Sequence, residues 1–222
     1  MGSSDREAET RRIAAGANDQ DPTGWFEELY QSARSGTAAI PWDRGAPHPL
    51  LAEWTAVHEV DGSGRSAVVV GCGLGTDAEH LAWLGFDSTA FDVSPTAVAT
   101  ASERHPGSSV AYTTADLFDL PTDWSGAFDL VFESLTVQSM PIAFHEPAIR
   151  AVGSLVAPRG TLLVVAAQRE EGVEVQGPPW PLTRSEIAAF STAELRTVSV
   201  EDLQDREAPE IRRWRVELRR DG

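Results

Sequence analysis

Residues 67–95, AVVVGCGLGTDAEHLAWLGFDSTAFDVSP, decide the fold. A short β-branched run ends in glycine, and a helical pattern follows with apolar residues at 78, 81, 82 and 84 and a closing Gly85. A second short run then ends at Asp92. Strand, crossover helix and parallel strand are the unit that such alternation builds. Ser94 and Pro95 supply a cap and a first-turn proline for a second helix that stops before Pro106.

Working outward, strands are expected at 109–114, 128–133 and 160–167, with a helix at 146–156. The run 160–167 is apolar almost throughout, as befits a central strand covered on both faces. After it come a Pro-rich loop at 177–182, a short helix at 183–190 and two β-like runs. The second of these, from 211, alternates Trp214, Val216 and Leu218 with charged residues, the pattern of a half-exposed antiparallel strand. Upstream, 23–33 and 49–60 read as two lid helices joined by the turn-rich PWDRGAPHP at 41–49. The expected fold class is α/β: a doubly wound, Rossmann-like, mostly parallel seven-stranded sheet ending in an antiparallel hairpin, with N-terminal lid helices. Residues 1–21 are expected to be a flexible or loosely helical tail. Residues 22–222 form a single domain, divided into lid helices at 22–62 and a core at 63–222.

Composition excludes several functions. The chain carries 18 basic against 34 acidic residues, a formal charge of −16, which argues against nucleic acid and anionic membranes as partners. Every basic residue is Arg, so no Schiff-base or phosphate-loop lysine exists. The single Cys72 removes internal disulfides and multi-Cys zinc clusters, and no metal is expected. Residues 1–22 lack an apolar signal core, and no run approaches the roughly 20 apolar residues of a membrane span, so a cytoplasmic location is expected.

Gly71, Gly73 and Gly75 lie between the first strand and its helix, where glycine lets a ligand approach the backbone at a helix N-terminus. A dinucleotide fingerprint would place another small residue at 76; Thr76 stands there, which favours an adenosyl ligand without pyrophosphate. Asp92, about twenty residues on, is placed to accept both hydroxyls of a ribose. Asp116 follows the third strand at the same sheet edge. Each of these residues also suits a purely structural turn; the reading rests on their recurrence at successive strand ends.

The stretches GCGLGTDAEHLAWLGFDSTAFDVSP (71–95), TTADLF (113–118) and FDLVFES (128–134) resemble motifs of the class I S-adenosylmethionine-dependent methyltransferases. The resemblance covers residues 41–222. Upstream, Trp25, the adjoining Phe-Glu and ProTrpAspArgGly at 41–45 are similar to the thiopurine and thiol/halide branch, whose N-terminal helices carry a tryptophan over the cofactor. The resemblance implies S-adenosylmethionine as cofactor. It sets Gly71, Cys72, Gly73 and Gly75 toward the methionine moiety, Asp92 and Val93 toward the ribose, Asp116 and the Leu117 amide toward the adenine, and Trp25 and Trp42 over the sulfonium. There are departures. Val69 stands where many relatives have an acid, so Glu133 or backbone carbonyls are expected to receive the amino group, and the tract after the fourth strand lacks the arginine of the animal thiopurine enzymes.

Methyl transfer from a sulfonium is an in-line displacement, in which holding the partners aligned about 3 Å apart is worth on the order of 7–11 kcal/mol. A thiolate or halide needs no base; a phenol, acid or amine does. His145, Glu133 and His48 are the base candidates, while His58, His80 and His105 read as packing residues on helices. Phe26, Trp42 and Trp180 are candidate substrate walls and imply an apolar or aromatic acceptor. The expected activity is methylation of a small molecule, favoured as a thiol, thiopurine-like compound or halide, by a monomer or homodimer. An N- or O-methyltransferase of a bacterial secondary metabolite is the alternative, and an inactive cofactor-binding or sensing module is a second.

Overall fold

The computed structural model describes residues 2–206 and 208–222. Three N-terminal helices, α1 (Ser3–Ala14), α2 (Gly24–Arg34) and α3 (Pro49–Val57), precede the sheet. The core then runs β1 (Ser66–Val70), α4 (Thr76–Trp83), β2 (Asp87–Asp92), α5 (Pro95–Arg104), β3 (Ala111–Thr114), β4 (Phe128–Ser134), α6 (His145–Ser154) and β5 (Val156–Ala167). It finishes with α7 (Arg184–Ala188), β6 (Leu195–Gln204) and β7 (Arg212–Arg220).

The seven strands lie in the order β3-β2-β1-β4-β5-β7-β6. β1 to β5 are parallel; β7 runs antiparallel between β5 and β6. Val70 of β1 is in register with Phe91 of β2 on one side and Glu133 of β4 on the other, so the strand order reverses at β1 and the chain leaves it through Gly71 at the switch point. Alternation along the strands divides the core. Val68, Val70, Val131 and Val164 pack with α6 and α7, whereas Val69, Phe132, Leu163 and Val165 pack beneath α3 and α4.

Two expectations shift. β5 begins at Val156 rather than 160, because Val156 pairs with Phe128 before a register shift lets the chain resume at Thr161 opposite Leu130. In place of a flexible or loosely helical tail there is a docked helix, α1. Ile13, its one large aliphatic, is buried among Trp25, Leu29 and Ala38, and Thr10 Oγ1 donates to the Ala39 carbonyl at 2.7 Å. Among the described residues no helix is long and apolar enough to cross a membrane.

Candidate active site

A cleft of about 1080 Å³, counted to its open mouth, lies at the C-terminal edge of the parallel strands. Its floor is the loop after β1. Gly71 and Gly73 adopt φ of +60° and +53°, which only glycine holds without strain. A Cβ on Gly71 would lie 2.5 Å from Thr136 Oγ1, and one on Gly73 would lie 2.9 Å from the Tyr30 hydroxyl, so the loop threads between the β4 side and the lid. Gly75 sits one step away from the cleft as the N-cap of α4. Cys72 lines the cleft, and burial pushes its thiol well up, so it is a packing residue rather than a thiolate.

Asp92 ends β2 and is buried; its Oδ2 accepts from the Gly73 amide and its Oδ1 from the Ser94 amide, both at 2.9 Å. Burial pushes its pKa up to about 6 against the pull of those amides. Each oxygen keeps a second lone pair, the requirement for receiving two vicinal hydroxyls. Val93, exposed Asp116 and buried Leu117 continue the same wall, with Asp116 Oδ1 accepting from the Phe118 amide at 2.9 Å.

The lid closes over this floor. Glu27 of α2 accepts from Ser94 Oγ at 2.5 Å and Thr96 Oγ1 at 2.6 Å, which ties the helix to the start of α5. Trp42 Nε1 donates to the Tyr30 hydroxyl at 2.8 Å, and Phe26, Tyr30 and Trp42 line the cleft. Trp25 does not. It belongs to the other face of α2 with Leu29, packs on Ile13, and stacks on Phe26 at 4.1 Å. Residues four apart share a helix face, so Phe26 and Tyr30 form the inner pair and Trp25 and Leu29 the outer one. That periodicity was present in the sequence and points to Tyr30, which the motif comparison missed.

Of the three base candidates only His48 lines the cleft. Its backbone amide donates to Asp77 Oδ1 at 2.6 Å and its Nδ1 accepts from the Leu50 amide at 3.2 Å. Burial, with the Arg44 and Arg213 cations, pushes its pKa down to about 3. It is therefore neutral with its proton on Nε2, a donor and not a base. Asp77, also on the cleft and unforeseen, is pushed up to about 6 by burial; an acid in the first turn after the glycine loop was its only sequence signal.

Glu133 lies behind the cleft wall, not in it. It is fully buried, and its Oε1 accepts from the Thr136 and Val137 amides at 2.7 and 3.0 Å. Burial raises its pKa to about 7. Its work is to cap the turn that carries Thr136, whose hydroxyl donates to the Val70 carbonyl at 3.0 Å. His145 opens α6, away from the cleft, with Nδ1 2.6 Å from Glu186 Oε1 and Nε2 3.0 Å from the Met140 carbonyl. Both partners are acceptors, so the ring is committed to holding Met140, itself a cleft residue, against α7. Trp180 faces a separate surface groove with residues 17–20 and Pro141–Ala143, because its amide is tied to the Gln138 carbonyl at 2.6 Å.

The residues present fit S-adenosylmethionine. The Gly71 and Gly73 backbone borders the cleft, Asp92 offers paired acceptors, and the Phe26 and Trp42 rings suit a sulfonium.

A family model, thiopurine S-methyltransferase, matches residues 32–221. Similar curated proteins include ubiquinone biosynthesis O-methyltransferases of Xanthomonas campestris pv. campestris strain B100, 33% identical over 163 residues, 67% of this chain and 66% of the relative. Another, from Xanthomonas euvesicatoria pv. vesicatoria strain 85-10, is 30% identical over 157 residues, 64% of this chain and 63% of the relative. The chain thus spans just under two thirds of the length of the curated relatives it matches. Among solved structures, one from work on the conversion of a disulfide bond into a thioacetal group during echinomycin biosynthesis superposes with a TM-score of 0.72, 22% identity and 90% and 91% coverage of the two chains. The 1,6-didemethyltoxoflavin-N1-methyltransferase of Burkholderia thailandensis, bound to its substrate and S-adenosylhomocysteine, gives 0.65, 17%, 97% and 91%. At these identities the structural likeness concerns the fold. The family model covers most of the chain, and on that ground the chain belongs to the thiopurine S-methyltransferase family, a branch of the S-adenosylmethionine-dependent methyltransferases.

Proposed function

We propose that this protein transfers the methyl group of S-adenosylmethionine to a small-molecule acceptor, favoured as a thiol or thiopurine-like compound, with halide in the same class. The observation that carries the reading is the cleft itself: a glycine floor, the Asp92 carboxylate beside it, and a lid tied to α5 through Glu27 and braced by the Trp42–Tyr30 hydrogen bond. When bound, S-adenosylmethionine supplies an electrophilic methyl on a sulfonium. Asp92 holds the ribose side, Asp116 and Leu117 border the adenine side, and Phe26 and Trp42 exclude water while facing the positive charge. With the acceptor aligned behind that methyl, transfer would break the sulfur–methyl bond as the acceptor–methyl bond formed, and S-adenosylhomocysteine would be the leaving group.

A sulfur acceptor is favoured because the histidine on the cleft is a neutral donor and Glu133 and His145 are spent elsewhere. A thiolate needs no proton removed by the protein. A second reading, an oxygen or nitrogen acceptor, draws on Asp77, a cleft carboxyl with a pKa near 6 that suits a general base.

The test is S-adenosylhomocysteine release with thiophenol, a thiopurine, sulfide, iodide, a catechol, an aromatic acid and a heteroaromatic amine, from about pH 6 to 9. Turnover confined to thiols or iodide, following the ionisation of the thiol itself, supports the first reading. Turnover on oxygen or nitrogen with an acid limb removed in Asp77→Asn supports the second. Cofactor binding with silence across the panel overturns both in favour of a binding module.

A further inference from the structure

Among the described residues, three buried side-chain polar atoms lack a partner, and of their residues only His48 lines the cleft. The residue is 6% exposed and held on both sides: Pro47 and Pro49 flank it in the chain, its backbone amide donates to Asp77, and the Leu50 amide donates to Nδ1. A nitrogen that accepts from a backbone N–H cannot carry a proton, so Nε2 must, and a buried N–H is left with nothing to donate to.

The position of the ring assigns the partner. Asp92 ends β2 and Asp116 follows β3, on one side of the switch point. His48 is under the influence of Arg213 and Asp205, which are paired at 2.8 Å. Arg213 is in register with Ala167 at the C-terminal end of β5, on the opposite side. The donor therefore stands over the half of the cleft left for the acceptor. Arg44 and Arg213 bring positive charge toward the ring and Asp205 offsets part of it, while the N–H itself requires a lone pair opposite, which a neutral or anionic acceptor has and a protonated cation lacks.

We propose that His48 Nε2 donates a hydrogen bond to the methyl acceptor and selects aryl or heteroaryl acceptors bearing a carboxylate, carbonyl or unprotonated ring nitrogen beside the reacting atom. This rests on the methyltransferase reading above and narrows it: among otherwise matched acceptors, those that set an accepting atom opposite Nε2 are preferred over those that do not. A site that buries a donor for its ligand rejects the analogue that lacks the acceptor, since the N–H is then left unpaired.

The experiment compares thiophenol with 2-mercaptobenzoate, and phenol with salicylate, on wild type, His48→Phe and His48→Gln loaded with S-adenosylhomocysteine. Binding is read by calorimetry and, where turnover occurs, by kcat/KM. Wild type should prefer the carboxylate-bearing member of a pair by about tenfold, His48→Phe should lose that preference, and His48→Gln, which keeps an N–H, should retain most of it. Long-range 1H–15N spectra of wild type should show a protonated Nε2 and bare Nδ1, with Nε2 shifting on addition of the carboxylate probe. Equal binding of the members of both pairs, the opposite tautomer, or loss of S-adenosylhomocysteine affinity in His48→Phe overturns the proposal, the last by moving His48 to the cofactor. Failure of wild type to bind S-adenosylhomocysteine at all instead overturns the methyltransferase reading.

Discussion

Glu133→Gln separates a buried turn cap from a catalytic base. In the folded chain burial raises the Glu133 pKa from 4.5 to about 7, while Oε1 holds the Thr136 and Val137 amides. Because folding raises this pKa, the folded protein binds the proton more tightly than the unfolded chain does. The stability that Glu133 contributes is complete below the unfolded value near 4.5 and is lost as pH rises through about 7. At about 1.4 kcal/mol per pKa unit, ionising the buried carboxyl costs on the order of 3 kcal/mol at alkaline pH. Gln keeps the accepting oxygen and never ionises, and its amide replaces an oxygen that already lacks a partner. The variant should therefore match wild type near about pH 5 and exceed it near about pH 9. For a chain of this size that difference corresponds to a rise in Tm of about 6–12 °C. Thermal melts across pH read the stability, and S-adenosylhomocysteine affinity and kcat read the site. If Gln instead abolishes turnover with cofactor affinity intact, Glu133 acts on a proton in the reaction; melting curves that stay parallel across pH refute the raised pKa of the buried carboxyl.

Trp42→Phe keeps an aromatic wall but removes the donor to Tyr30, and should weaken S-adenosylhomocysteine binding about fivefold; unchanged affinity by calorimetry refutes the lid role. Asp92→Asn turns one amide N–H toward either the Gly73 or the Ser94 N–H, so cofactor affinity should fall at least about tenfold, and the loss should be read in equilibrium binding rather than in Tm alone. His145→Phe removes the partner of Glu186 Oε1, whose Oε2 keeps Arg169 and the Thr183 amide, and of the Met140 carbonyl, and should cost about 1–3 kcal/mol of stability. Its pH–rate profile should keep the wild-type shape, and disappearance of an acid limb would restore His145 as a base.

The strand-helix alternation was legible because β1 is a contiguous β-branched run followed by glycine and α5 and α7 open on side-chain caps, Ser94 and Thr183. The floor of the site was legible for a related reason: Gly71, Gly73 and Asp92 belong to one βαβ unit, whose geometry brings Gly73 and Asp92, 19 residues apart, together. Tyr30 was within reach through its spacing from Phe26. The neighbours of His145 were not, since Glu186 lies 41 residues away and only the packing of α7 brings it close.

The sequence by itself determined the parallel sheet, the glycine turn at its switch point and the acidic residues at successive strand ends, because these follow from local periodicity and turn chemistry. Tertiary structure alone decided which polar groups face the cleft. His48 is a donor because the Leu50 amide occupies Nδ1 while burial, with Arg44 and the distant Arg213, keeps the ring neutral, Glu133 is a cap because its turn folds back over it, and the N-terminal segment is a docked helix because Ile13 packs among Trp25, Leu29 and Ala38. Protonation and burial depend on what the rest of the chain packs around a residue, and no window of sequence contains that.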